Sequence, residues 1–486
     1  MSLKQQALKG MFWTFIQQMS TQGIGFIVSI ILARLLLPSE FGLIALLGIF
    51  IGIGNVLINS GLTESLIRTE NPTDDDFSTV FYFNIIISII IYITIFFIAP
   101  FIANFYNQPL LTDITRVYGI VFIISAFSII QNTRLIKEMN FKKQTIINIP
   151  SLIIGSSVGI TLALYGFGVW SLVWSAIAKT AAVNIQLWWW SPWLPSLKIS
   201  KKKIKHHLNY GYKLTLSGII DTLFKNIYTI IIGKFFNPMQ VGFYNRADTL
   251  KQLPVNNFSN VLNTVTFPLF SKIQNDDAKL KSVYKKIMQM SVFLIAPTLL
   301  FMATLAEPLF RFIYTEKWLP AVPYFQILCF GGILYPIHSY NLTILNIKGR
   351  SDLFLKLEII KKILVTLVIL ISFHWGIYGL LYGSVVVSVF ILFVNTYYTG
   401  KFIHYRTFEQ LKDLSPAILL AFFSSGVVLL FDNLIKTYLF SDILRLILGS
   451  LLGIFIFGTF AYLFKLNSFL EIKSIVKSRF NTSKRI

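Results

Sequence analysis

Apolar runs of membrane-spanning length, separated by short polar stretches, recur from one end of this chain to the other. They fall at about 10–36, 41–60, 79–101, 114–134, 146–165, 167–190, 210–234, 241–267, 287–306, 321–345, 357–373, 377–399, 414–435 and 442–464; as helices, such runs cross a hydrocarbon layer of ~30 Å. The pattern predicts an all-α integral membrane protein with about fourteen transmembrane helices. The eighth run is the least apolar, because Asn245, Thr249, Gln252, Asn256, Ser259, Asn260 and Asn263 interrupt it.

Composition agrees with the pattern. Of 486 residues, 55% are hydrophobic and 13% charged, too little charge to clothe a soluble chain of this size. The N-terminus (Lys4, Lys9, then an apolar run) has the outline of a signal peptide. The run is long, is broken by Gln17, Gln18, Thr21 and Gln22, and lacks a small-residue cleavage site, so it reads as a retained first helix. The single cysteine, Cys329, excludes an intramolecular disulfide and a cysteine-rich metal site.

A formal net charge of +22 could suggest nucleic acid. Placing the N-terminus in the cytoplasm and alternating sides puts roughly 31 basic residues on the cytoplasmic face against roughly 8 on the other. The charge is therefore a topology signal, with both termini cytoplasmic, and no nucleic-acid partner is expected.

The chain also repeats itself. Ile31-Leu-Ala-Arg34-Leu-Leu-Leu-Pro38-Ser-Glu-Phe-Gly42 returns as Ile231-Ile-Gly-Lys234-Phe-Phe-Asn-Pro238-Met-Gln-Val-Gly242. Gly168-Val-Trp170-Ser-Leu-Val-Trp174-Ser returns as Gly376-Ile-Tyr378-Gly-Leu-Leu-Tyr382-Gly, and the acidic Asp74-Asp75-Asp76 has a counterpart in Asn275-Asp276-Asp277. Three matches in one order point to duplication, with six helices repeated in the same membrane orientation. The expected organisation is a six-helix lobe at 1–195, a basic cytoplasmic linker at 196–209 and a second six-helix lobe at 210–400. Helices 13 and 14 follow at 401–464, then a basic cytoplasmic tail at 465–486.

Fourteen helices in a 6+6+2 plan with paired Pro-x-x-x-Gly motifs resemble the superfamily of multidrug and oligosaccharidyl-lipid flippases, whose fold is MATE-like. Within it, Gly61-Leu-Thr-Glu-Ser-Leu-Ile-Arg68, Pro72-Thr-Asp-Asp-Asp-Phe-Ser-Thr-Val-Phe81 and Phe105-Tyr-Asn-Gln-Pro109 resemble the Wzx-type polysaccharide exporters, in the branch associated with colanic and teichuronic acid. The resemblance implies a bacterial inner-membrane flippase that turns polyprenyl (undecaprenyl) diphosphate-linked oligosaccharide repeat units from the cytoplasmic to the periplasmic leaflet. It further implies two lobes about a central cavity, membrane lipids as surroundings, and a polysaccharide polymerase and glycosyltransferases as associates. It brings no universal catalytic motif.

An anionic diphosphate and a hydroxyl-rich glycan need cationic, amide and hydroxyl groups along their path. Lys225 lies near the middle of the seventh run, with Asp221 one turn before it on the same face. The two either neutralise each other as a structural pair or face the path. Lys179 in the sixth run has no acidic partner nearby in its own helix; it either snorkels to the surface or serves the same purpose. In the eighth run Asn245, Thr249, Gln252, Asn256, Ser259 and Asn263 recur every three or four residues, flanked by Arg246, Asp248 and Lys251, as a lining stripe would. A smaller stripe in the first run uses Gln17 or Gln18, then Thr21 and Gln22, and ends at Arg34; Gln18 and Gln22 are its candidates, and Asn55 and Asn59 are offered by the second run. Arg34 and Lys234, equivalent in the repeat, also read as interfacial anchors before a turn, and Pro38 and Pro238 as helix starts. Trp188, Trp189, Trp190 and Trp193 read as an interfacial belt, and His338 as a hydrogen-bonded histidine or a proton-coupling group.

No Walker loop, zincin helix or spaced ligand set is present, so no cofactor and no enzymatic activity are expected. Direction would come from a proton or sodium gradient or from consumption of product. Two alternatives stay open. A cation-coupled multidrug exporter of the same fold should carry acidic groups, whereas Lys179, Lys213, Lys225 and Lys251 outnumber Asp221 and Asp248 here. A lipid II flippase is not separated from the main reading by charge.

Overall fold

The computed structural model describes residues 3–59, 61–191, 193–438 and 441–474, and among them every regular element is a helix. The chain divides into two compact units, Met1–Gly242 and Phe243–Ile486. The first holds α1 (Leu3–Leu35), α2 (Pro38–Asn59), α3 (Leu62–Arg68), α4 (Asp74–Tyr106), α5 (Leu111–Tyr118), α6 (Ile120–Lys137), α7 (Phe141–Leu164), α8 (Val169–Trp190), α9 (Lys201–Lys225) and α10 (Ile227–Phe235). Helix α11 (Pro238–Lys272) begins there and continues into the second unit. That unit adds α12 (Asp277–Thr304), α13 (Ala306–Tyr314), α14 (Val322–Ile333), α15 (Tyr335–Ile347), α16 (Ser351–Ser372), α17 (Gly376–Ile403), α18 (Thr407–Ile435) and α19 (Asp442–Leu463).

All fourteen predicted runs lie on helices. Among the described residues, ten stretches are long and apolar enough to cross a membrane, and eleven if the bent pair α9–α10 forms one span. The runs in α8 and α11 fall short of that apolarity because of their polar residues, and α16 and α17 form one continuous stretch, Ser351–Ile403. The expected fourteen is compatible with this arrangement. The compact units meet at Gly242, inside α11, whereas the sequence repeat restarts near residue 210; α9 packs against α2, α3 and α4, which holds it in the first unit.

The matched prolines and glycines have the same local role in both copies, and the acidic run opens a helix in each. Pro38 starts α2 and Pro238 starts α11, where a missing N–H costs little. Asp74, Asp75 and Asp76 fill the first turn of α4, with Thr73 and Asp76 forming a capping box; Asp276 caps α12 by accepting from Lys279 N at 2.9 Å. Gly168 and Gly376 enter α8 and α17 at φ 54° and 68°, where a side chain would be strained. The two Pro-x-x-x-Gly motifs also meet each other. A Cβ on Gly42 would intrude on the carbonyl of Pro238, and one on Gly242 on the carbonyl of Pro38, so the crossing is reciprocal.

Small residues set the other close approaches of the first unit. Helices α2 and α9 run antiparallel, with Gly52 against Thr222, Val56 against Gly218 and Gly61 against Gly211. Helices α7 and α8 close over Gly155 and Gly159, where Ser175 Oγ donates to Gly155 O at 2.8 Å. Such contacts let backbones approach in lipid, where no hydrophobic force draws helices together. In the second unit, Lys281–Glu409 (2.8 Å) and Lys285–Asp413 (2.8 Å) tie α12 to α18. Tyr405, buried before α18, donates to Asp413 Oδ2 at 2.7 Å, and burial followed by that carboxylate pushes its phenol well up.

Candidate functional site

Helix α9 breaks at Asn226 and resumes as α10 at an angle of 50°. Lys225 is thus the last residue of α9 and not mid-helix as the apolar run suggested. A helix C-terminus favours a cation there, and Asn226 Nδ2 donates to Thr222 O at 2.8 Å, using one carbonyl that the break exposes. Depth is preserved nonetheless. The antiparallel register of α2 and α9 places Lys225 level with Ile49, half-way along α2.

Lys225 is exposed and has no carboxylate within 4.0 Å among the described residues, so it does not pair with Asp221. Lys179 is the same: exposed, half-way along α8, without a carboxylate partner among the described residues. Its Cβ packs against Gly155 of α7, which fixes the root of the side chain. Helix α2 is flanked by both α8 and α9. The first unit therefore places two lysines without carboxylate partners among the described residues on helices that both pack against α2, one half-way along α8 and one level with the middle of α2, which also carries exposed Asn55. Charge without a partner at that depth is expensive.

Gln18 and Gln22, both half-buried, stand apart from this group, because α1 packs along α7. Thr145 of α7 lies 3.5 Å from Gln17 Oε1 and 3.2 Å from Trp13 O, and Thr21 donates to Gln17 O at 2.6 Å. Arg34 is exposed at the end of α1. Its repeat counterpart Lys234 donates to Phe105 O at 2.7 Å and covers the Phe105 ring at 4.6 Å, as an interfacial anchor does.

Along α11, which runs from the first unit into the second, Val241, Phe243, Ala247 and Leu250 form the buried face. Asn245, Thr249, Gln252 and Asn256 form the opposite stripe, with Thr249 and Asn256 exposed and the amides of Asn245 and Gln252 half-buried. Gln252 Oε1 has no hydrogen-bond partner among the described residues. The side chains of Ser259, Asn260 and Asn263 lie outside the described residues. Lys251 pairs with Asp248 at 2.5 Å and lays its stem on Gly332, so that cation is neutralised and held. The guanidinium of Arg246 reaches the Tyr314 hydroxyl.

Residues 31–323 match the family described as polysaccharide biosynthesis protein. The chain belongs to that family. It is 24% identical over 396 residues to the lipopolysaccharide biosynthesis protein WzxC of Escherichia coli K12, covering 80% of each chain. It is also 24% identical over 354 residues to the teichuronic acid biosynthesis protein TuaB of Bacillus subtilis, covering 72% of this chain and 73% of the relative. In fold it is similar to the lipid II flippase MurJ in an inward closed conformation (TM-score 0.75, 12% identity, 94% of this chain and 98% of that one). The chain therefore shares its fold with that structure.

Three features lay beyond sequence reasoning. Arg445 of α19 binds Asp432 of α18 at 2.9 and 2.7 Å, with both side chains buried; charges near the facing ends of consecutive apolar runs were the available signal. Trp193, expected in the interfacial belt, is buried against Phe77 and Phe81, while Trp189 stays exposed. His207 of α9 sits between Ser65 Oγ (2.7 Å from Nδ1) and Asp76 Oδ1 (3.7 Å from Nε2), and Asp76 also meets Lys203 at 3.0 Å. The set has the members of a nucleophilic triad, but Ser65 is 5% and His207 1% exposed. No substrate reaches that hydroxyl, and the cluster fastens α9 to α3 and α4.

Proposed function

We propose that this protein is a flippase for polyprenyl (undecaprenyl) diphosphate-linked oligosaccharide repeat units. It carries them from the cytoplasmic to the periplasmic leaflet of a bacterial inner membrane by alternating access, for surface polysaccharide export. The observation that carries the reading is the pair Lys179 and Lys225, two mid-depth cations without carboxylate partners among the described residues. A diphosphate is the anion that a pair of lysines in a low-dielectric setting suits. The half-buried amides and exposed hydroxyl of the α11 stripe suit a glycan. Family membership and the roles that the names of WzxC and TuaB give those relatives, in lipopolysaccharide and teichuronic acid biosynthesis, support surface polysaccharide over cationic drugs.

The reading includes a transporter without catalytic groups, two six-helix lobes with two further helices, cytoplasmic termini, and neighbouring glycosyltransferases and polymerase that make and consume the cargo. Direction comes from an ion gradient or from that consumption. Deleting the gene should leave lipid-linked repeat units in the cytoplasmic leaflet and stop polysaccharide export. Undiminished export without the protein would overturn the reading.

A further inference from the structure

Between α8 and α9 the chain runs as an irregular strap, residues 193–200. One side of it is fixed to the first unit. Trp193 turns inward against Phe77 and Phe81 (ring centroids 6.4 and 5.9 Å), with the Arg134 guanidinium 5.4 Å from its ring. Ser196 N donates to Ser78 Oγ at 2.9 Å and Ser200 N to Thr79 Oγ1 at 3.2 Å, so the backbone is stitched to α4.

The other side faces out. Leu194, Leu197 and Ile199 are 74%, 91% and 55% exposed. Lys198, Lys201, Lys202 and Lys205 are exposed among them and in the following turn of α9. None of the four has a carboxylate within 4.0 Å among the described residues, in contrast to Lys203, which pairs with Asp76. Exposed Trp189 and Trp190 mark the adjoining end of α8, and Lys143 Nζ donates to Trp190 O at 2.9 Å. Three outward aliphatic side chains interleaved with four unpaired cations match neither water nor hydrocarbon. They match the headgroup–acyl boundary of an anionic leaflet.

We propose that residues 194–205 form a binding surface for anionic phospholipid headgroups, with Leu194, Leu197 and Ile199 inserted at the boundary and the four lysines on lipid phosphates. The stitched backbone presents the side chains in advance, which lowers the ordering cost of binding. Because the strap leads directly into α9, this contact anchors the cytoplasmic end of the helix that carries Asp221 and Lys225. Each lysine contributes about fivefold to the preference for an anionic surface.

Cys329 is fully buried, so a fluorophore on Leu197→Cys reports on the strap alone. The full-length protein is placed in nanodiscs of phosphatidylcholine, or of phosphatidylcholine and phosphatidylglycerol in equal parts. Emission should shift to the blue in the anionic discs, and K198Q/K201Q/K202Q/K205Q should abolish the shift. Equal emission in both discs, or a shift that survives the four substitutions, would overturn the proposal. Phosphatidylglycerol co-purifying with the protein should fall by about tenfold or more in the quadruple variant and stay unchanged in K401Q/K412Q, which removes two exposed lysines of the second unit. An equal fall in both variants would show a general charge effect and also overturn it.

Discussion

The reciprocal crossing of the Pro-x-x-x-Gly motifs makes a quantitative demand on two glycines. A Cβ at Gly42 would lie 2.6 Å from the carbonyl carbon of Pro238, against an ordinary carbon–carbon contact of ~3.5–4.0 Å. The obstacle is backbone in a helix start and has no rotamer to give, and the same Cβ would lie 1.7 Å from the Pro238 carbonyl oxygen, so α2 and α11 must part by well over ~1 Å. Overpacking of this kind costs about 1–3 kcal/mol. Parting also loosens Gly242 against Pro38, where a Cβ would lie 2.8 Å from the carbonyl carbon, which places Gly42→Ala toward the upper end of that range. Gly48 is the control: it sits in the same helix with nothing within 4 Å of a built Cβ, and Ala there should be neutral or gain up to about 1 kcal/mol from reduced backbone freedom. Thermal unfolding in detergent, followed by tryptophan emission, should show Gly42→Ala lower by roughly 5–10 °C and Gly48→Ala at or above wild type. Because Gly42 and Gly242 share one crossing, G42A/G242A should lose less than the two single losses combined. A Gly42→Ala midpoint equal to that of Gly48→Ala would refute the crossing.

Lys225→Ala removes a charge-assisted contact worth about 1.5–3 kcal/mol, so export should fall about tenfold to a hundredfold with membrane insertion intact, while Lys225→Arg keeps most activity; wild-type export from the alanine variant would take Lys225 out of the path. Arg445→Ala strands buried Asp432 and should cost about 3–5 kcal/mol, read as a large drop in thermal midpoint, and D432L/R445M should recover most of it. Failure of that double variant to recover would show that the pair is more than a self-compensating buried bridge. Ser65→Ala should lower the midpoint, with the loss of one buried hydrogen bond worth about 1 kcal/mol, and leave export per folded molecule unchanged; lost export at unchanged stability would make the Ser65–His207–Asp76 cluster part of the chemistry.

What the chain discloses by itself depends on how local the cause is. Hydrocarbon demands long apolar helices, so every run was visible, including the polar α11, whose stripe retains a helical period. Pro38, Pro238, Gly168 and Gly376 were legible because backbone geometry dictates those residue types where they stand. The break at Asn226 was not, since no glycine or proline marks it and the run 210–234 is apolar on both sides. Depth survived the error: Lys225 ends a helix yet stays level with the middle of α2. The uncompensated state of Lys225 was equally hidden, because i,i+4 spacing with Asp221 permits a pair but does not enforce one. Lys251 shows the reverse, with Asp248 three residues away capturing it. Arg246 and Tyr314, or Ser65 and His207, are joined only by tertiary packing, and no spacing in the chain announces them.

Translocation itself is the claim to measure. Purified protein is reconstituted into sealed liposomes with a polyprenyl diphosphate-linked oligosaccharide distributed over both leaflets, and a membrane-impermeant oxidant of sugar diols is added outside. Without protein, the glycans of the inner leaflet stay protected. With the protein they should become fully oxidised over time, and Lys225→Ala should slow that loss of protection. A protected fraction that does not change when active wild-type protein is present would contradict the account.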